Sequence, residues 1–554
     1  MVIASSGPCF QGFFCYTGAM SKSLSLVYVF LLVIGSALSA PRLQASEART
    51  SYDLQISLDY ATASLQVVEK VTYYNRTGQS LSSLVFNVTP AHYQAFRLQR
   101  ISIASKEIPY KLQGVVLEAA LPEPLQTEAQ VTVEMVFTLV VPPRQGRFGV
   151  GNGIIALGNW YPVLAVFHGD WDRHQYVEIG DAFYTEVADY RVTLWSSEPV
   201  AVAHSGTQVS HEGNQWVFLA EKVRDFALAI GKHYQSASQE VDGTIVTSYF
   251  LPEHRAGGEL ALRAAAESLR WFGSTLGRYP YPSLGVAEIY APTWTGSGQE
   301  YPNLVFVASG PYANPGGMGD YLSYLIAHEV GHQWFYGLVG NDQVNDPWLD
   351  EALTTHTTLT FFKQDYPTAF PSLWRSRVTD GYEKYRLEKG DRPVNTSIYD
   401  YDDELYYFAM VYRRGALFLE ELRNSLGDEA YFRLLGDYVK TFSYGIATPQ
   451  GFFAQAQSQS KVDLRPLFAR YFTYPWLQGP SLLTPTPSAA ATVTPVPALA
   501  ATKPATVTPT LAATPGEHDP AEVILYSMLI GLVLSASLVS FWLLKSPSRG
   551  RKKR

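Results

Sequence analysis

The chain has 554 residues, too many for one compact core, so two or more folded units are expected. Aromatic residues at 14 % and charged residues at 17 % are the composition of packed protein and exclude a chain that is disordered throughout. A formal charge of −8, with no basic stripe in the body of the chain, excludes nucleic acid as a partner.

In chain order, residues 1–45 read as a secretory leader: Lys22 precedes an apolar core over 26–38, flanked by the small residues Ala37, Ser39 and Ala40. Met20 offers a second start. An uncleaved N-terminal anchor is the alternative. Both cysteines, Cys9 and Cys15, lie in this segment. With the leader removed, disulfides and thiolate catalysis are excluded by inventory, and the cysteine-free body reads as bacterial.

Residues 50–235 alternate with period two, as in Tyr52-x-Leu54-x-Ile56-x-Leu58, Val131 to Val141, and Tyr190-x-Val192-x-Leu194, which predicts a mostly antiparallel β-domain over 46–240. Residues 241–482 are helix-rich. Leu262, Ala265, Ala266, Leu269 and Phe272 share one helical face that stops at Gly277 and Pro280. A second helix is expected from a cap at Asp320 to about Gly340. A third opens at Asp346-Pro347 and ends before Pro367, and a fourth spans roughly 404–426. Residues 483–520 are almost all Thr, Pro and Ala and read as an extended stalk. Residues 523–544 carry no charge and are long enough to span a bilayer, and the basic run 545–554 follows. Positive-inside bias then predicts a single-pass protein of the cell membrane, with the body extracytoplasmic, the C-terminus cytoplasmic and the lipid bilayer a partner of the C-terminal helix.

The chemistry is carried by His328-Glu329-Val330-Gly331-His332, an HExxH motif on the second helix. Histidines at i and i+4 project from one helical face, as two zinc ligands must. The adjoining Glu329 can act on water at an open coordination position without ligating. A metzincin would place Gly at 335 and His at 338, where this chain has Phe335 and Leu338. The remaining arrangement takes its third ligand from the next helix. Eighteen residues separate Glu351 from His332, which puts it one turn inside that helix, and antiparallel packing returns it to the motif.

HEVGHQWF at 328–335 and PWLDEA at 347–352 resemble the signatures of the aminopeptidase N family, to which leukotriene hydrolase also belongs. GRYPYPSL at 277–284, GSGQEYPNLVF at 296–306 and VYRRGA at 411–416 are similar to further family segments, so the resemblance covers about residues 50–478. It implies an α+β protein in which a saddle-like β-domain precedes a thermolysin-like catalytic domain. The large C-terminal helical domain of many relatives has no counterpart before the stalk. It also implies one Zn2+ per chain and peptide substrates with a free N-terminus. In that scheme Glu300 binds the substrate's α-amine, the backbone at Gly296, Ser297 and Gly298 lines the peptide groove, and Tyr412 donates to the oxyanion. Gln299 and Tyr301 stand where the family motif has Met and Asn, and no β-domain partner for Glu300 is evident in the sequence. A zinc endopeptidase or other zinc hydrolase, and a surface-tethered inactive binding protein, are the rival expectations.

Overall fold

The computed structural model describes residues 49–293 and 298–478, without the side chains of 317–320 and 478. The expected leader, stalk, membrane helix and basic tail lie outside the described residues, as do Gly296 and Ser297. Among the described residues no helix is long and apolar enough to cross a membrane.

The period-two segments form strands as their alternation requires. In Ser51–Asp59 the side chains of Tyr52, Leu54, Ile56 and Leu58 are buried while Gln55, Ser57 and Asp59 face outward or toward the rim. This strand lies inside an eight-stranded sheet. One of its neighbours, Ala188–Ser196, runs parallel to it, and the other, Ser64–Tyr74, antiparallel. The parallel pair departs from a purely antiparallel domain. Its partners are joined by the whole intervening domain rather than by a hairpin, which is what parallel pairing demands. The pair is sealed by Tyr52 and Tyr190, stacked with ring centroids 4.7 Å apart. Two four-stranded sheets complete the N-terminal half.

A mixed five-stranded sheet opens the second half, in the order Gln235–Val241, Thr244–Phe250, Ser283–Ile289, Leu304–Ala308, Gly298–Gln299. The strand Gln235–Val241 therefore pairs with the second half, although its sequence position falls before 240. The short strand Gly298–Gln299 is the sheet edge and runs antiparallel to Leu304–Ala308. Three helices matter for the site: α1 (Arg255–Leu276), α2 (Gly317–Gly331) and α3 (Trp348–Asp365). Helix α1 buries Ala261, Ala265, Leu269 and Phe272 and ends at Gly277 with φ +117°, a conformation open to glycine. It packs along α2, so close that a β-carbon on Gly331 would lie 2.9 Å from the Phe272 ring.

Helix α2 stops at Gly331, not near Gly340. The cause is tertiary. Arg224, from the N-terminal half and 1 % exposed, donates from Nε to the Tyr336 carbonyl (2.7 Å) and from Nη2 to the Leu338 carbonyl (3.2 Å). It also donates to the carbonyls of Thr185 and Gly445. A helix could not continue through Tyr336, whose φ is +113°, and Arg224 holds the chain in that turn. Helix α3 begins and ends near its expected limits. The side chain of Asp346 does not cap it, however, because its carboxylate accepts the Tyr474 hydroxyl. The fourth expected helix is present as Glu404–Phe408 and Arg414–Leu426, joined by a π-helical turn at Ala409–Arg413.

Candidate metal centre

Helix α2 brings His328 and His332 to one face, and α3 returns Glu351 to meet them. His328 Nε2 and His332 Nε2 are 3.1 Å apart, and Glu351 Oε2 lies 3.4 and 3.3 Å from them. Zinc bonds of about 2.0–2.1 Å at tetrahedral angles put ligand atoms roughly 3.3–3.4 Å apart. The three atoms thus form one face of a zinc-sized tetrahedron. Glu351 Oε2 is buried and accepts no hydrogen bond among the described residues, while its other oxygen accepts the Tyr412 hydroxyl. The ring of His332 is oriented through Nδ1, 3.0 Å from the Phe335 carbonyl, leaving Nε2 for a metal. Burial alone raises the Glu351 carboxyl, but the charge of His332 and the closeness of both imidazoles hold it below the ordinary carboxylate range. Two imidazoles and one ionised carboxylate with a free oxygen are a donor set that fits zinc.

The remaining predicted residues surround this centre. Glu329, 4 % exposed, packs against the sheet edge. A β-carbon on Gly298 would lie 2.2 Å from its carboxyl, so only glycine leaves room there. Tyr412 lies in the π-helical turn, its ring stacked on His328 at 6.0 Å. Glu300 follows the edge strand and is 4 % exposed, and one of its oxygens lies within 4.8 Å of a His332 nitrogen. Its carboxyl is pushed up to about 8, chiefly by burial and next by the charge of Asp181.

Asp181 is the β-domain partner that sequence reasoning missed. Gln299 Nε2 donates to Asp181 Oδ1 (2.8 Å) and to Glu300 Oε2 (2.6 Å), clamping the two acids together. Arg147 Nη1 donates to the same Asp181 oxygen at 2.6 Å. Gln299 in place of Met thus bridges the acids. Tyr301 in place of Asn donates to Asn159 Oδ1 at 2.8 Å and ties the loop to the N-terminal half. Gln333, beside the motif, fixes Glu300 from the other side. Its amide donates to the Tyr301 carbonyl (3.1 Å), and its Oε1 accepts from Asn303 N (2.9 Å). Asp350, Gln343 and Arg377 were also not singled out. Gln343 Nε2 donates to Asp350 Oδ2 at 2.6 Å, setting the start of α3. No local spacing signals any of these residues, because they arrive from separate loops and helices.

These groups line one cavity of about 190 Å3. Its wall includes Asp181, Glu300, His328, Glu329, His332, Glu351, Tyr412 and, farther along, Tyr324, Arg377 and Arg413.

Residues 260–471 match the family described as the Peptidase family M1 domain. Aminopeptidase N of Streptomyces lividans is 23 % identical over 296 residues, covering 50 % of this chain and 34 % of that protein. Aminopeptidase M1-A of Oryza sativa is 24 % identical over 250 residues, covering 44 % and 28 %. The chain thus spans about a third of the length of the curated relatives it matches. Among solved structures, an M1 zinc metallopeptidase from Deinococcus radiodurans superposes with a TM-score of 0.60 at 18 % identity, covering 79 % of this chain and 97 % of that one. A mutant of the same enzyme bound to a Tyr-Ser-Ala substrate gives 0.56, also at 18 % identity. At that identity the likeness is one of fold. Motif, ligand geometry, matched domain and fold agree in what they resemble, the zinc metallopeptidases of peptidase family M1.

Proposed function

We propose that this chain is a zinc aminopeptidase, binding one Zn2+ and removing N-terminal residues from peptides. The observation that carries the reading is the pairing of Asp181 with Glu300 beside the His328–His332–Glu351 centre, an anionic corner one short step from the ligands. His328, His332 and Glu351 would hold the zinc, which would supply Lewis acidity there. The chain's own groups do the rest. Glu329 takes a proton from the attacking water and passes it to the departing amine. Tyr412 turns its hydroxyl from Glu351 toward the developing oxyanion. The edge strand Gly298–Gln299 offers backbone groups to an extended peptide, and the acid pair stops that peptide at its ammonium. Arg147 answers Asp181, but an acetylated terminus leaves Glu300 buried without a cation of its own, which disfavours it by roughly 1–4 kcal/mol.

The test compares Leu- and Ala-aminoacyl fluorogenic amides with their N-acetyl forms. Free-amine substrates are expected to be cut, with activity lost to chelator and restored by zinc, and metal analysis should return one zinc per chain. Glu300→Ala should depress turnover of the free-amine substrates while retaining zinc. Equal cleavage of acetylated peptides would remove the aminopeptidase reading and favour an endopeptidase on the same centre.

The same proposal places the body outside the membrane, on the charge-free run 523–544 and the basic run 545–554. Protease added to intact cells should release active enzyme by cutting within 483–520. Activity that stays wholly protected would refute this topology.

A further inference from the structure

Opposite the acid pair, the cavity wall is cationic. Arg377 and Arg413 both line it, and among the described residues neither has a carboxylate within ion-pair distance. Most other arginines around the catalytic half are paired: Arg414 with Asp391, Arg423 with Asp428, Arg470 with Glu421. Arg377 is partly buried, lies 4.2 Å above the Tyr321 ring and 5.4 Å above that of Tyr324, and its Nε has no acceptor. The head of Arg413 rests on the backbone of Gly381, where a β-carbon would lie 1.7 Å from Nη1. Thr355, one turn beyond Glu351, faces the same space with a buried hydroxyl that also lacks a partner. Two guanidinium groups that line one cavity without an anion lose hydration, and a carboxylate reaching both would restore it through charge-assisted hydrogen bonds.

Position relative to the metal ligands says what that anion is. The acid pair borders His332, whereas Tyr324, beneath Arg377, stacks at 6.2 Å on His328. A peptide whose ammonium is at the acid pair and whose cut bond is at the metal centre therefore runs its leaving portion toward the arginines. Each residue spans at most about 3.3–3.6 Å, so a carboxylate one to three residues past the cut covers the interval. We propose that Arg377 and Arg413 form a carboxylate subsite on the leaving side, which makes the enzyme selective for short peptides with a free C-terminus or for an acidic side chain just beyond the cut. The inference rests on the aminopeptidase reading above.

The test uses the full-length protein and matched pairs that all carry a free amine: Leu-Ala against Leu-Ala-amide, Leu-Ala-Ala against its amide, and Leu-Glu-amide against Leu-Gln-amide. In the wild type the anionic member of at least one pair should be favoured roughly tenfold in kcat/KM, about 1.4 kcal/mol, mainly through KM. Preference confined to the free acids assigns the subsite to the chain terminus, and preference for Leu-Glu-amide assigns it to a side chain. The ratio should collapse toward one in R377Q/R413Q and partly return in R377K/R413K. Ratios near one for every pair in the wild type overturn the subsite while leaving the aminopeptidase intact, since both members still turn over. No turnover of any pair takes down both.

Discussion

Two carboxylates on neighbouring halves of the molecule are equally hidden and differently used. Glu351 is 3 % exposed and Glu69 is 0 % exposed. Around Glu351 converge two imidazoles and a tyrosine hydroxyl, and one of its oxygens is left open toward them. Glu69 lies within the eight-stranded sheet with Leu54 and Met135 as cross-strand neighbours, and neither of its oxygens has a partner among the described residues. Burial pulls both acids toward the neutral form. Partners overcome it at Glu351 and nothing overcomes it at Glu69, whose carboxyl is raised well above the ordinary range by desolvation. Burial of an acid is thus no sign of function until the groups that converge on it are counted.

Four substitutions probe this contrast. The largest effect belongs to Glu351→Gln, which should release the metal and abolish turnover. Glu329→Gln, one residue from His328, should retain the metal and still lose about 10²–10⁴ in kcat, and elemental analysis beside kinetics separates the two. If both variants keep metal equally, Glu351 is no ligand. Tyr412→Phe comes next: removing one oxyanion donor costs about 10²–10³ in kcat. An effect confined to KM would show that its hydroxyl serves only to hold Glu351.

The smallest effect is in stability, and its sign is opposite. Glu69→Met removes an unpartnered polar group and should stabilise the protein by about 1–3 kcal/mol at pH 8. The folded-state carboxyl is raised, so its favourable contribution is complete below the unfolded value near pH 4.5 and is lost as pH rises through the folded value. The gain from Glu69→Met should therefore shrink toward pH 4. Chemical denaturation at both pH values measures it, and a pH-independent difference would mean that Glu69 finds a partner in solution.

What was legible in the sequence followed the range of the interaction. His328, His332 and Glu351 are related by one helical turn and one helix–loop–helix return, so spacing alone brought them together. Tyr412 needed the family resemblance, because a π-helical turn sets its direction and no α-helical count from Arg414 would. Asp181 and Arg147 lie in the N-terminal half and reach Gln299 only through tertiary packing. The end of α2 at Gly331 was hidden for a like reason: Arg224, more than a hundred residues earlier, holds the turn at Tyr336 and Leu338 by its hydrogen bonds to their carbonyls.

The π-helical turns at Arg375–Thr379 and Ala409–Arg413 carry Arg377, Tyr412 and Arg413. Such a turn lodges one residue more than an α-helix accommodates. Deleting a single residue within 409–413 would regularise the backbone and rotate Tyr412 relative to the following helix by about 100°. The shortened chain would have better helical hydrogen bonds and a hydroxyl pointing away from Glu351. Along this stretch the number of residues sets the direction of Tyr412 as much as their identity does.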